Sequence, residues 1–396
     1  MHTRYLKWLL LFCCLSIVPA VLLNVLLITH ASDHRQQAIQ ASTWQQRTHG
    51  ITLSPTGGNN GLFKHLRLID RIPEINTVIF GASTVMAIDS TMLPAEWRLY
   101  NLSQSGNPLL ASLGEAEYMV SHAPQITYYV IALDWALGFL YQPGEPAPAD
   151  LSPAAINQAL QTPPGNIPLL ALLRDALSYP RMERLGKILK FVLRSAHPAQ
   201  TFREYFLQDS SDDYVCPDGS PGKDYDTYNR GSCNGFRYDG SATFSDYSRV
   251  NNAKQLVMGA TASSSKYAHS LLETKGVVNQ ALLDHLARLN AALKSRGGQL
   301  VVFLPPLLPN MEKAFLSHPQ YAPYLLTTKN MLNRWALQEQ ITLFDFGQSE
   351  HYGCEGHEFL DEHHATQTCY WKIFPAFWQN ARKPDGTPLL RPGNTH

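Results

Sequence analysis

Short apolar runs alternate with amphipathic stretches along most of this chain. Val78–Phe80, Ile126–Leu133, Gln299–Leu304 and Ile341–Phe346 are rich in β-branched and aromatic residues and break at Gly, Pro or polar clusters, and Leu99–Asn107 reads as a short strand opening into a polar loop. Runs of that length and type predict strands, most of them buried on both faces. Leu62–Ile72, Leu109–His122, Val277–Arg296, Tyr324–Glu339 and Tyr370–Asn380 repeat apolar positions at helical spacing, and Gly297-Gly298 supplies a stop for the third of them. Strand–helix–strand order at these intervals predicts right-handed crossovers and a mostly parallel sheet, an α/β domain in three layers.

The pattern lapses twice. Between about residues 140 and 248 it gives way to a Pro-rich stretch (Gln142–Asp150), a basic helical stretch (Leu169–Leu193) and a Gly/Asp/Tyr-rich segment, which reads as an insertion or lid. At the amino end, Arg4 and Lys7 precede Trp8–Thr29, 22 residues without a charge. About 20 apolar residues span a bilayer, and a positive flank marks the cytoplasmic side. Residues 1–30 therefore read as a cytoplasmic tip and one transmembrane signal anchor, with the bulk of the chain extracytoplasmic. The alternative is a signal peptide cleaved near Thr29-His30-Ala31, for which the apolar run is long and the site poor. Residues 31–61, polar and ending in Ser-Pro-Thr-Gly-Gly-Asn-Asn-Gly, read as a stalk, and 62–396 as the globular domain with its insertion.

Charge adds a constraint. Lys+Arg and Asp+Glu both number 32 in 396 residues, which gives no footprint for nucleic acid. Cysteine usage agrees with export. Cys13 and Cys14 lie in the apolar run, and the other four form local pairs, Cys216/Cys233 and Cys354/Cys369. Nearest-neighbour disulfides are the expectation among three possible pairings, and the zinc-ribbon spacing is missing.

Two stretches carry chemistry. In Gly81-Ala82-Ser83 a hydroxyl follows the first strand at its carboxyl end, where open α/β sheets bind ligands. In Asp361-Glu362-His363-His364, after the last strand, an Asp three residues before a His can orient that imidazole from one turn. Ser83, His364 and Asp361 together make a nucleophile, base and orienting acid. His363 is the competing base. His351, His357, His363 and His364 with Glu355 and Glu358 raise a metal site as an alternative, but no His-x₃-His helix pattern supports it. Asp89 reads as a turn cap.

Gly81-x-Ser83, Asn101-x₄-Gly106 and Asp361-x-x-His364, in that order, resemble the blocks of SGNH/GDSL-type hydrolases. More narrowly, the chain resembles their membrane-anchored extracytoplasmic branch, related to alginate O-acetylation and teichoic-acid D-alanylation proteins. The resemblance spans roughly residues 76–135 and 277–380 and implies a flavodoxin-like sheet. It implies Ser83 as nucleophile, His364 as base, Asp361 as its partner, and the backbone N–H groups of Ser83 and Gly106 as oxyanion donors. Asn107, Asp134 and Arg237 are candidate substrate contacts. The family's third block carries an Asn where this chain has Ala132-Leu133-Asp134-Trp135, and an ionised Asp134 cannot donate to an oxyanion. Asp134 could be protonated by burial, bind a substrate amine or hydroxyl, or mark a site that does not hydrolyse esters.

The expected function is a cell-envelope serine esterase or O-acyltransferase on an acylated polysaccharide or lipid, beside a membrane acyltransferase partner and without a cofactor. The alternative is a non-catalytic binding or assembly protein that keeps an esterase's fold.

Overall fold

A computed structural model describes residues 17–27, 34–52, 60–134, 169–206, 235–243 and 266–380. In chain order the helices are α1 (His34–Thr48), α2 (Asn60–Arg71), α3 (Leu109–His122), α4 (Leu169–Ala176), α5 (Tyr179–Arg194), α6 (Pro198–Phe206), α7 (Lys266–Thr274), α8 (Gln280–Lys294), α9 (Met311–Ser317), α10 (Ala322–Gln338) and α11 (Gln367–Asn380). The strands are β1 (Thr77–Phe80), β2 (Leu99–Asn101), β3 (Tyr128–Ala132), β4 (Gln299–Leu304) and β5 (Thr342–Asp345).

The five strands form one parallel sheet in the order β2-β1-β3-β4-β5. The predicted α/β class is thus observed. Every residue of β1 is buried, as are all but the first of β3 and β4, because helices cover both faces of a parallel sheet. β5, at an edge, is buried only at its first residue. Chain direction reverses across the sheet between β1 and β3, since β2 lies on one side of β1 and all later strands on the other. That is the switch point where parallel sheets open a crevice at their carboxyl ends. Right-handed crossovers put α3, α8 and α10 on one face, and α3 and α8 pack against each other. α11 closes the core by its aromatics: Phe374 meets Phe303 and Phe346, and Trp378 meets Trp97 edge-on at 4.9 Å.

Three expectations change. The stalk contains α1, which packs on α2 and buries Ala38 and Ala41, while Thr52 bridges to Phe236. Two alanines three apart are stripe enough for a close helix contact. Gln45 is accommodated because its amide donates to the Gly50 and Phe236 carbonyls, both at 2.9 Å. Next, 235–243 is not peripheral to the domain: Phe236 and Ala242 belong to the main core. Lastly, the basic stretch Leu169–Leu193 is two helices, α4 and α5, because Ser178 is extended and Pro180 starts the second.

The predicted membrane segment Trp8–Thr29 falls partly outside the described residues. Its described part, 17–27, is helical. Among the described residues no helix is long and apolar enough to cross a membrane. Cys216 and Cys233 also lie outside the described residues. Cys354 and Cys369 form the expected disulfide, with 5.1 Å between their Cα atoms.

Candidate active site

β1 ends at Phe80, and Gly81 then turns the chain so that Ser83 starts a single 3₁₀ turn, Ser83–Val85. Gly81 has no room for a side chain: a Cβ there would stand 2.8 Å from Val85 Cγ2 and 3.1 Å from Ala132 Cβ. The close approach of this turn to β3 therefore depends on the missing methyl. The turn is held from three sides. Asn101, fully buried at the end of β2, donates from Nδ2 to the carbonyls of Val85 and Ile88, both at 2.9 Å. Tyr370 of α11 donates its hydroxyl to the Thr84 carbonyl at 2.8 Å. Ala242 donates its N–H to the Met86 carbonyl at 2.7 Å.

The second half of the site is a tight loop after β5. Leu360 N–H bonds back to the His364 carbonyl, and an isolated bridge joins Phe359 to Ala365. Inside this loop Asp361 Oδ1 accepts the N–H groups of His363 and His364, both at 2.9 Å, an Asx-type turn. Oδ2 accepts from His364 Nδ1 at 2.6 Å. The three-residue spacing has this physical meaning: one carboxylate builds the turn with one oxygen and aims the imidazole with the other. The Leu308 N–H anchors the loop through the Glu362 carbonyl.

His364 Nε2 lies 2.7 Å from Ser83 Oγ. With Nδ1–H committed to Asp361, Nε2 keeps its lone pair free to take the hydroxyl proton. Burial penalises the Asp361 charge, but the His364 hydrogen bond, the adjacent imidazoles and the His363 N–H more than offset it. The carboxyl is held well below the usual carboxylate range. It stays ionised wherever His364 is a base, and any stability it supplies is fully present above the ordinary carboxylate range and lost as pH falls from there through the lowered value.

Ser83, His364 and Asp361 thus come together as expected. His363 lies beside His364, its ring tilted by 38° and the centroids 4.2 Å apart, and it is His364 that reaches the serine. Gly106 lies in the loop after β2 with φ +69°, and a Cβ there would meet nothing within 4 Å. Glycine is needed at this position for its backbone conformation, not for space.

The three candidate substrate contacts are engaged within the protein. Asn107 Nδ2 donates to Ser112 Oγ at 3.0 Å, tying the loop to the start of α3. Asp134 is buried, and its Oδ2 accepts from Thr84 Oγ1 at 2.8 Å. Arg237 donates to the Ala242 carbonyl at 3.1 Å and to Gln367 Oε1 at 3.1 Å, which joins its turn to α11 just past His364. Asp89 caps its turn, accepting from the Thr91 N–H. Of the proposed metal ligands, Glu355 and Glu358 form a reciprocal turn cap, and Glu358 pairs with Lys372.

Asn101, the first residue of the Asn101-x₄-Gly106 block, supports the turn, and Lys64 in turn supports Asn101. Lys64 is fully buried, bonded through Nζ to the carbonyls of Asn101 and Gly240 and lying 4.4 Å from the Phe236 ring centre. Burial pushes its pKa down to about 7, against the pull of Asp239 and Glu115. Its place in the helical pattern of Leu62–Ile72, on the buried side, is the one signal the sequence held. Gly240 sits against Asn101, where a Cβ would stand 2.4 Å from the Asn101 carbonyl oxygen.

No family model matches this chain, and no curated protein matches it.

Proposed function

We propose that this chain is a cell-envelope serine esterase or O-acyltransferase, acting on an acylated polysaccharide or lipid through an acyl-enzyme on Ser83. The observation that carries the reading is the unbroken relay from Asp361 to His364 to Ser83, with contacts of 2.6 and 2.7 Å. The strand order 2-1-3-4-5 supports an SGNH-like, flavodoxin-type arrangement, with Ser83 beside the switch point between β1 and β3.

In this mechanism Ser83 Oγ attacks the ester carbonyl while its proton passes to His364 Nε2. Asp361 stabilises the imidazolium that forms. The backbone N–H groups of Ser83 and Gly106 are the proposed donors to the oxyanion. Collapse expels the alcohol, which takes the proton from His364 and leaves the acyl group on Ser83. Water or an acceptor hydroxyl then repeats the sequence, with His364 as base, and frees the serine. Deacylation by water makes an esterase, and deacylation by a glycan or lipid hydroxyl makes a transferase.

The chain is further proposed to be tethered in the cytoplasmic membrane by its apolar amino end, with the domain outside. The test of the chemistry is the intact mass of the protein after incubation with an activated acyl ester. One acyl group gained at Ser83, and lost faster when a sugar acceptor is added, supports the transferase form. No adduct and no turnover would favour the second reading, a binding protein with an esterase's fold. Asp134 favours that second reading, since it accepts a hydrogen bond where the SGNH pattern places a donating Asn.

A further inference from the structure

Residues 17–27 and α4–α6 form a module with a hydrophobic cluster of its own, separate from the main core. Leu27, Leu185 and Phe206 are buried at its centre, with Leu23, Leu26 and Ile188 packed around them. The apolar amino-terminal stretch is thus a packing partner of the insertion helices. Its one amide, Asn24, is buried and donates to the Ala176 carbonyl at 2.8 Å, satisfying an acceptor at the end of α4.

The outside of this module is unusually apolar. Of the fifteen exposed large hydrophobic side chains among the described residues, ten belong to it, among them Ile17, Leu22, Leu170, Tyr179, Phe191 and Leu193. Leu170 is 83% exposed and Leu193 77%. Scattered apolar residues are ordinary on a surface, but a concentration of this kind marks an interaction face. The same helices carry Arg174, Arg181, Lys187, Lys190 and Arg194. A surface with leucine, phenylalanine and tyrosine beside lysine and arginine matches a bilayer interface, apolar below and anionic above. Continuity selects this occupant: the module packs on the distal half of the charge-free segment Trp8–Thr29, at the depth where that segment would leave the bilayer.

We infer that α4–α6 lie in the surface of an anionic lipid leaflet, docked on the membrane segment through the 17–27 cluster and Asn24, so that the insertion is a second point of membrane contact. The inference rests on the retained amino-terminal anchor and is independent of catalysis at Ser83. Immersion of the apolar side chains by about 5–10 Å would bring the domain close against the membrane.

The test uses the full chain with Cys13→Ser and Cys14→Ser, reconstituted in phosphatidylcholine–phosphatidylglycerol vesicles with brominated acyl chains. A fluorophore is attached through Ile17→Cys, Leu170→Cys, Leu193→Cys or Leu337→Cys, the last being an exposed leucine of α10. The expected result is quenching at 17, 170 and 193 about twofold or more above that at 337, and rising at 170 and 193 with phosphatidylglycerol content. Asn24→Leu should reduce quenching at 170 while leaving that at 17 unchanged. Quenching at 17 but not at 170 and 193 would overturn the inference while leaving the anchor. No quenching at 17 would overturn both. A photocrosslinker in place of Leu193 that joins a discrete protein in cells, in place of lipid, would assign the face to a protein partner and overturn the inference.

Discussion

Asn101→Ala is expected to be among the most damaging single changes near the site, although Asn101 touches no reacting atom. Its amide donates to the Val85 and Ile88 carbonyls, and its Oδ1 accepts the Ser103 N–H at 3.0 Å and the Ser103 hydroxyl. Truncation strands the Ile88 carbonyl and the Ser103 N–H and hydroxyl, while the Val85 carbonyl keeps the Ile88 N–H. Each orphaned group costs about 1–3 kcal/mol, and one water in the vacated space can re-satisfy two of the three, so a net loss of about 1–3 kcal/mol follows. Both carbonyls flank the segment just past Ser83, so turnover should fall with stability. Urea unfolding of the detergent-solubilised chain, followed by tryptophan fluorescence, reads the loss as a lower midpoint at unchanged slope. Asn101→Asp refines the test. The introduced carboxyl, kept neutral by burial, can still donate one hydrogen bond, so its folded-state pKa lies above its unfolded value. That variant should be least destabilised at low pH and lose stability as pH rises through the raised value. A change below about 0.5 kcal/mol for Asn101→Ala, as at an ordinary surface position, would refute the reasoning.

Burial pushes the Lys64 pKa down to about 7 from 10.5, so the unfolded chain binds more protons between those values. Wild-type stability should therefore rise with pH across that window, and Lys64→Met should flatten the rise in a pH series of unfolding curves. Replacing both Cys354 and Cys369 by Ser opens a loop with a sequence separation of 15 and should cost about 3 kcal/mol, measured as a lowered unfolding midpoint. Asp361→Asn would present an amide N–H to His364 Nδ1 and leave the proton on the wrong nitrogen. Turnover of an activated ester should fall by about 10⁴ with the fold retained.

The sheet was legible because each of its strands is a bounded apolar run, and Gln299–Leu304 was read to the residue. Ser83 and Asp361-x-x-His364 were legible for a local reason. The turn that joins Asp361 to His364 is closed by hydrogen bonds within four residues. What escaped detection depends on distance in sequence. Phe236 packs on Phe63 from 173 positions away and Lys64 reaches Gly240, contacts no periodicity encodes. α1 was hidden by its polar composition, since a helix resting on alanines carries little hydrophobic signal. Asp134 illustrates the limit at the site. Nothing local in the sequence around Asp134 indicates its hydrogen bond with Thr84, 50 positions away and beside the proposed nucleophile.

The central claim is that His364 activates Ser83. Labelling of the full chain with a fluorophosphonate probe tests it most directly, beside Ser83→Ala and His364→Ala. The account predicts labelling of the wild type at Ser83, none in Ser83→Ala, and loss in His364→Ala with the fold retained. A folded wild type that takes no label, or a His364→Ala variant that labels as fast as wild type, would contradict it.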